Sequence, residues 1–431
     1  MSLFRRVAIQ VRPIVRAKLS ERSFSSSRCC SRSSLKNLQA RSCYKAWSLS
    51  SVFRNKYSTS AAIKKLEKDG LSININGVWR YVNYVWLRDN CRCNECYDHS
   101  TFQKIILPSH IDPDIQPLEA RTDEETLQVT WPDGHQSLYD LEWLKKHCNP
   151  GVEDRKVPQL LWNKEILTNN YPQDVLYEKF MSSDDGVRDL LASLLRFGIG
   201  VVKGAPATIE GTQQVSERVS FIQETLFAPG IWSFTSDGAR SDTAYTTIFL
   251  GAHNDTTYFS LPCGIQVFQK LQHDGEGGET LLVDGFHAAE KLRSDKPDSF
   301  SLLCEHRVEH QYKEESAERH NVISLAPILK THPVTGDLEW IRYNHYDRAP
   351  IRTVPLNQLA DYYEALRDLS QLIEDPAGEY WLPLEPGSVL FIDNWRVLHG
   401  RASFTGKRKV CGCYLPKDDW TSRARTLGLL Y

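Results

Sequence analysis

Between Thr243 and Leu415 six short runs rich in β-branched, aromatic and aliphatic residues follow one another: TAYTTIFL, GIQVFQKL, ETLLVD, EWIRYN, SVLFIDN and VCGCYL. Each has the length of a strand, and turn-forming residues separate most of them. One long stretch with helical periodicity, LNQLADYYEALRDLSQLIED, interrupts the series. Two more helices are expected upstream. VRDLLASLLRFG stops at Gly198 and leads into the strand-like IGVVKG, and QVSERVSFIQETLF runs into a Pro-Gly loop. Short strands around a few helices predict a mainly β fold with helical support, an antiparallel sandwich or jelly roll.

The segment before it has a different texture. LSININGVWRYVNYVWL alternates around Asn76-Gly77, and LQVTWPDGHQSLYDL turns at Pro132-Asp133-Gly134. This predicts a small β-rich domain over residues 59–158, followed by the larger domain over 159–431. Residues 1–58 read as a leader: Glu21 is the only acid before Glu67, while arginines and serines crowd the stretch (SERSFSSSRCCSRSS). Such a composition is that of an organelle transit peptide, and it predicts import into the mitochondrion (the matrix), with cleavage near residue 55. The net charge of −2 gives no basis for a nucleic-acid partner, and no run reaches the roughly 18 apolar residues of a membrane helix.

CRCNEC places Cys91, Cys93 and Cys96 together, and His135 follows in WPDGH at the tip of the second hairpin. Three thiolates and an imidazole predict a closed, tetrahedral, structural zinc site.

The sequence holds three H-x-D motifs: His110/Asp112, His253/Asp255 and His345/Asp347. On a strand this spacing turns both side chains to one face. With a distant His they complete the two-His, one-carboxylate face that leaves Fe(II) open coordination positions. His399, in FIDNWRVLHGR, is the natural distant ligand. His110/Asp112 lies in a Pro-flanked loop of the small domain. His345/Asp347 leaves mostly the long helix before His399, too little chain for a β-scaffold. His253/Asp255 leaves room for one and is the better pair. Arg408, nine residues past His399, can clamp a far carboxylate of a co-substrate, and Thr280 in GGETLLVD can add a hydroxyl.

HNDTTYF, GIQVF, GGETLLVDGF, IRYN and FIDNWRVLHGR resemble the γ-butyrobetaine/trimethyllysine dioxygenase family of Fe(II)/2-oxoglutarate oxygenases, over essentially everything after the leader. The resemblance implies a distorted double-stranded β-helix, Fe(II), 2-oxoglutarate, O2, ascorbate as reductant and a homodimer. It implies His253, Asp255 and His399 as iron ligands, with Thr280 and Arg408 on 2-oxoglutarate. It further implies an aromatic cage for a trimethylammonium group from Trp232, Tyr245 and Tyr414, with Phe227 standing where the family has a tyrosine. Asn344 is the candidate for a substrate carboxylate. Asp242 matches a position that is a neutral Asn in the butyrobetaine enzymes, and a carboxylate there suits the α-ammonium of Nε-trimethyllysine. With the leader, this favours 3-hydroxylation of trimethyllysine over the sister reaction on γ-butyrobetaine. A non-catalytic β-domain protein binding a partner through its zinc module is the rival from another class.

Overall fold

Period-2 alternation along the central strands sets the architecture. In Ser388–Asp393, Val389 and Phe391 face one apolar cluster, while Leu390 and Ile392 face another. The same split puts Leu281 and Val283 of Thr280–Asp284 on an outer cluster and Leu282 on the inner one. Strands buried on both faces must therefore sit between a second sheet and a layer of helices. The computed structural model describes residues 62–66, 68–148, 157–235, 246–315 and 320–431, all within one unit, Thr59–Tyr431. The leader, Asp242 and Tyr245 lie outside the described residues.

Two sheets make the larger part. In the six-stranded sheet Ile265–His273 pairs antiparallel with both Arg408–Leu415 and Ser388–Asp393, with Trp232–Thr235 at one edge and Ile199–Lys203 and the short Val175–Leu176 at the other. The four-stranded sheet runs Leu250–His253, Val397–Arg401, Thr280–Asp284, Tyr380–Leu382. Helices Asp184–Phe197, Ile209–Val219 and Lys417–Thr426 cover the first sheet around Val187, Val215, Val267, Phe391 and Trp420. Helices Gly285–Asp295, Pro297–Glu305 and Leu359–Ile373 cover the second. A buried ion pair ties the layers. Arg396 donates to both carboxylate oxygens of Asp284 and to the carbonyls of Leu160 and Arg196, leaving neither charge exposed.

Ahead of this part, Gly70–Ile75 and Val78–Asn83 form the expected Asn76-Gly77 hairpin, and Thr126–Thr130 and Gln136–Asp140 form the other. Leu71, Ile73, Leu127, Val129, Trp131 and Tyr139 make their separate core.

Three local expectations are corrected. YVWLRD is a helix, Tyr84–Asp89, because the Asn83 side chain accepts from Val85 N and Trp86 N and caps it. The second upstream helix ends at Val219: Ser220 is extended, and Gln223 N donates to Tyr414 O alongside the sheet. Among the described residues of TAYTTIFL, 246–250, only Leu250 is strand, since the carbonyls of Thr246 and Ile248 accept from Arg401 rather than from a ladder. FIDNWRVLHGR is two strands in different sheets, joined by a turn at Asn394–Arg396. The hairpin of Arg307–Glu314 with His320–Pro327 was not anticipated.

Candidate active site

The inner faces of the two sheets enclose the site. His253, Thr280, His399 and Arg401 come from the four-stranded sheet, and Trp232, Phe268, Arg408 and Tyr414 from the six-stranded one. Their positions follow from register. His253 is the direct cross-strand partner of His399, and Thr280 is that of Arg401. Close approach of the first pair requires Gly400, where a Cβ would stand 2.5 Å from Leu250 O. Across the pocket Gly412 has the same duty, since a Cβ there would meet the Trp232 ring at 2.5 Å.

His253, Asp255 and His399 present their ligand atoms within 4.8 Å of one another. Both Nε2 atoms converge on Asp255 Oδ1, at 3.3 Å and 3.7 Å. Cis donors of an octahedral ion bound at about 2.1 Å stand about 3.0 Å apart, so a small contraction seats one. The surroundings leave the right lone pairs free for it. His253 Nδ1 donates to Gly251 O at 2.8 Å, which turns Nε2 toward Asp255; burial opposes a charge on the ring, yet that carboxylate raises its pKa, so a metal at Nε2 would take the place of a proton. Tyr414 OH donates to Asp255 Oδ2 at 3.0 Å, leaving Oδ1 for a metal. Burial drives the His399 pKa down to about 3, so the ring is neutral. Burial opposes a charge on Asp255, yet the neighbouring imidazoles and the Tyr414 hydroxyl hold its carboxyl at about 2. His399 and Asp255 thus already hold the protonation states a metal needs, and His253 reaches its own by giving up the proton that the Asp255 carboxylate favours. The donor set fits Fe(II) with three protein ligands.

The backbone carrying these ligands is clamped from a distance. Asn394 Oδ1 accepts from Asp255 N, and its Nδ2 donates to Asp255 O and Cys263 O. Asn254 Nδ2 donates to Asn394 O, while its backbone N and Oδ1 bond the Tyr343 backbone. Directly after Asp255 the chain leaves strand geometry at Thr256, a β-branched residue at φ 57°. Such a conformation costs about 1–3 kcal/mol and persists only where the surroundings impose it.

Arg408 is 7% exposed, and no acceptor among the described residues meets its Nε. Phe404 lies under its guanidinium at 5.5 Å and under that of Arg401 at 4.9 Å, so two buried cations flank one ring. At Gly278 the lack of a side chain leaves open the space 3.3 Å from Arg408 Nε. A buried cation with an unmet donor, beside the buried Thr280 hydroxyl, fits the far carboxylate of 2-oxoglutarate.

The remaining walls are aromatic. Trp232 contacts Phe234, Phe268 and Tyr414, and Phe227 reaches the pocket from a tight turn closed by the Thr225–Ala228 bridge. Asn344 also lines the pocket, but both of its amide hydrogens are used, on Asn254 O and on Asp347 Oδ2. Asp347 came from a discarded H-x-D motif; it lies in the pocket as its second carboxylate among the described residues. The His345 ring lies tilted against Tyr346 at 3.8 Å, and among the described residues it joins no metal cluster. Sequence reasoning missed Asp347, Tyr258, Tyr312, Arg401 and Asn394. Only Arg401 carried a local signal, being two residues from His399 and so on the same face.

In the small part, His135 Nε2 stands 3.3 Å, 3.6 Å and 3.6 Å from the sulfurs of Cys91, Cys93 and Cys96. A tetrahedral zinc with ordinary bond lengths sets sulfur and nitrogen about 3.6 Å apart, so the four donors fit it. Arg88 Nη1 donates to Cys96 Sγ from behind.

A buried face of two histidines and a carboxylate, with a buried arginine on the same inner surface of two antiparallel sheets, defines the site of a non-haem, Fe(II)- and 2-oxoglutarate-dependent dioxygenase. Residues 155–414 match the family described as taurine catabolism dioxygenase TauD, TfdA, and residues 63–149 match the gamma-butyrobetaine hydroxylase-like N-terminal family. The chain belongs to the TauD, TfdA dioxygenase family. It is similar to the mitochondrial trimethyllysine dioxygenases of Homo sapiens, at 47% identity, and Bos taurus, at 46%, in each case over 82% of this chain and 84% of the relative. The trimethyllysine dioxygenase of Neurospora crassa is 33% identical over 87% of both chains.

Proposed function

We propose that this enzyme hydroxylates Nε-trimethyllysine to 3-hydroxy-Nε-trimethyllysine, the first step of carnitine formation. The observation that carries the reading is the joining, in one pocket, of the His253–Asp255–His399 face, the buried Arg408 and a set of aromatic walls. Bound Fe(II) and 2-oxoglutarate supply the oxygen-activating chemistry, in which O2 is consumed, the substrate gains a hydroxyl, and 2-oxoglutarate leaves as succinate and CO2. The chain's residues place the reactants. Arg408 and Thr280 hold the far carboxylate of 2-oxoglutarate, which orients it in the pocket. A trimethylammonium group donates no hydrogen bonds, so Trp232, Tyr245 and Tyr414 receive it by cation–π contact. Asp242 and Asp347 serve the amino-acid end, with their carboxylates facing the α-ammonium, while Asn344, whose amide hydrogens are both taken, holds Asp347 in place. Binding at both ends fixes the carbon chain between them and excludes water from the pocket.

The similarity to trimethyllysine dioxygenases at 46–47% identity supports this substrate over γ-butyrobetaine. The N-terminal part over 59–158 holds a structural Zn(II) on Cys91, Cys93, Cys96 and His135, and the dioxygenase domain spans 159–431. Residues 1–58 direct import to the mitochondrial matrix, ascorbate keeps the iron reduced, and the enzyme acts as a homodimer. The test is product analysis. Purified protein with Fe(II), 2-oxoglutarate, ascorbate, O2 and trimethyllysine should yield a product heavier by an oxygen atom, with equimolar succinate. Absence of both under these conditions would sink the proposal.

A further inference from the structure

The aromatic wall has an unexplained member. Phe227 stands where the family resemblance calls for a tyrosine, so it offers a ring without a hydroxyl. The structure surrounds it with two tyrosines to which the sequence reading gave no site role. Tyr312 meets it edge to face at 5.3 Å and 78°, Tyr258 does so at 6.3 Å and 69°, and the two tyrosine rings are 5.2 Å apart. All three line the pocket that holds the His253–Asp255–His399 face.

Tyr312 is held firmly. It lies on Arg307–Glu314, whose buried residues alternate as Val308, His310, Tyr312 and Glu314, so Tyr312 and Glu314 share a face. The fully buried Arg342 fastens this hairpin by donating to Val308 O, Ala326 O and Ser324 O, and its Nε donates to Thr257 O, two residues after Asp255. Ser324 Oγ donates to the same Thr257 carbonyl. The hairpin is thus fixed to the segment that carries the metal ligands.

The hydroxyl of Tyr312 donates to Glu314 Oε2 at 2.8 Å, and Glu314 is 8% exposed. A phenol that donates to a carboxylate in a low-dielectric setting shifts electron density onto its ring, which deepens the negative face that attracts a cation. We propose that Tyr312, with its hydroxyl donated to the buried Glu314, is the electron-rich wall of the quaternary-ammonium subsite on the side where Phe227 stands. Phe227 and Tyr258 then shape and exclude water, while the Tyr312–Glu314 pair supplies the charge selectivity. This rests on the proposed trimethylammonium substrate.

The experiment uses the full chain loaded with Fe(II) and 2-oxoglutarate, and compares two ligands of one shape. One is trimethyllysine, and the other is its neutral isostere with a tert-butyl group in place of trimethylammonium. KM for the first and the inhibition constant of the second are measured for wild type, Tyr312→Phe, Tyr312→Leu and Glu314→Gln. The two conservative variants keep the ring or the hydrogen-bond acceptor, and so keep the fold. The preference for the cation over the isostere should fall about three- to ten-fold in Tyr312→Phe and Glu314→Gln and about ten- to thirty-fold in Tyr312→Leu, with KM for 2-oxoglutarate unchanged. A merely structural role would weaken both ligands equally and leave the preference at its wild-type value, which overturns the inference while the proposed function stands. Wild type that releases no succinate with trimethyllysine overturns both.

Discussion

Replacing Arg408 with Met should make the protein more stable and useless at once. The guanidinium is 7% exposed, and its Nε meets no acceptor among the described residues. Burial, helped by the charge of Arg401, pulls its pKa from 12.5 down to about 10. Each tenfold in that equilibrium is about 1.4 kcal/mol, so holding the charge inside costs the folded protein about 3 kcal/mol. Methionine fills similar space without the charge, so the Arg408→Met variant without 2-oxoglutarate should unfold at higher denaturant by a margin of that order. Binding should change in the opposite sense. Losing one partner of a buried, charge-assisted pair removes about 2–5 kcal/mol, a rise in KM for 2-oxoglutarate of roughly thirty- to several-thousand-fold. Two assays read the two signs: urea unfolding of both proteins with and without 2-oxoglutarate, and succinate release across 2-oxoglutarate concentration. Wild type should gain stability from 2-oxoglutarate and the variant should gain none. A variant that is less stable than wild type without ligand, or whose KM is unchanged, refutes the role given to Arg408.

Gly400→Ala should push Leu250–His253 away from His399, because the added Cβ would stand 2.5 Å from Leu250 O. Iron affinity, followed by Co(II) absorption without substrate, should weaken at least about ten-fold, and unchanged affinity would contradict the pairing argument. Cys96→Ser should remove zinc from the purified protein while leaving its iron content intact, as elemental analysis will read, and zinc retained in full would dismiss the four-donor site. His310 is buried, and burial together with the charges of Arg342 and Arg348 takes its pKa down to about 3. Below about pH 6.5 the unfolded imidazole takes up a proton that the folded one refuses, so stability falls with pH across that window. His310→Gln should flatten the fall by about 2 kcal/mol at pH 5, and profiles that remain parallel would count against it.

What could be read from the residues was whatever repeats with a short period. Alternation in SVLFIDN, GIQVFQKL and ETLLVD announced buried strands, and H-x-D spacing with His399 and Arg408 outlined charged groups that face each other from the two sheets. Contacts between distant residues were not legible. Asn394 clamps Asp255 across 139 residues, and nothing in DNW announces an amide that accepts from one backbone and donates to it. Asp347 was hidden because its motif was weighed only as a metal pair, whereas Asn344 turns it into a pocket carboxylate. Tyr312 was invisible for a different reason. In VEHQYKE the charged and polar residues dilute the strand pattern, and the burial of alternate residues depends on Arg342, which arrives just past the strand Leu338–Ile341. The helix Tyr84–Asp89 was misread because aromatic and β-branched residues favour strands, and one Asn83 cap overrode them.

The central claim concerns the substrate, and one competition measures it. The iron-loaded enzyme, given 2-oxoglutarate and equal amounts of trimethyllysine and γ-butyrobetaine, should convert the first at least about ten times faster, since the α-ammonium adds a charge-assisted contact to a pocket carboxylate. Preferential hydroxylation of γ-butyrobetaine would contradict the account.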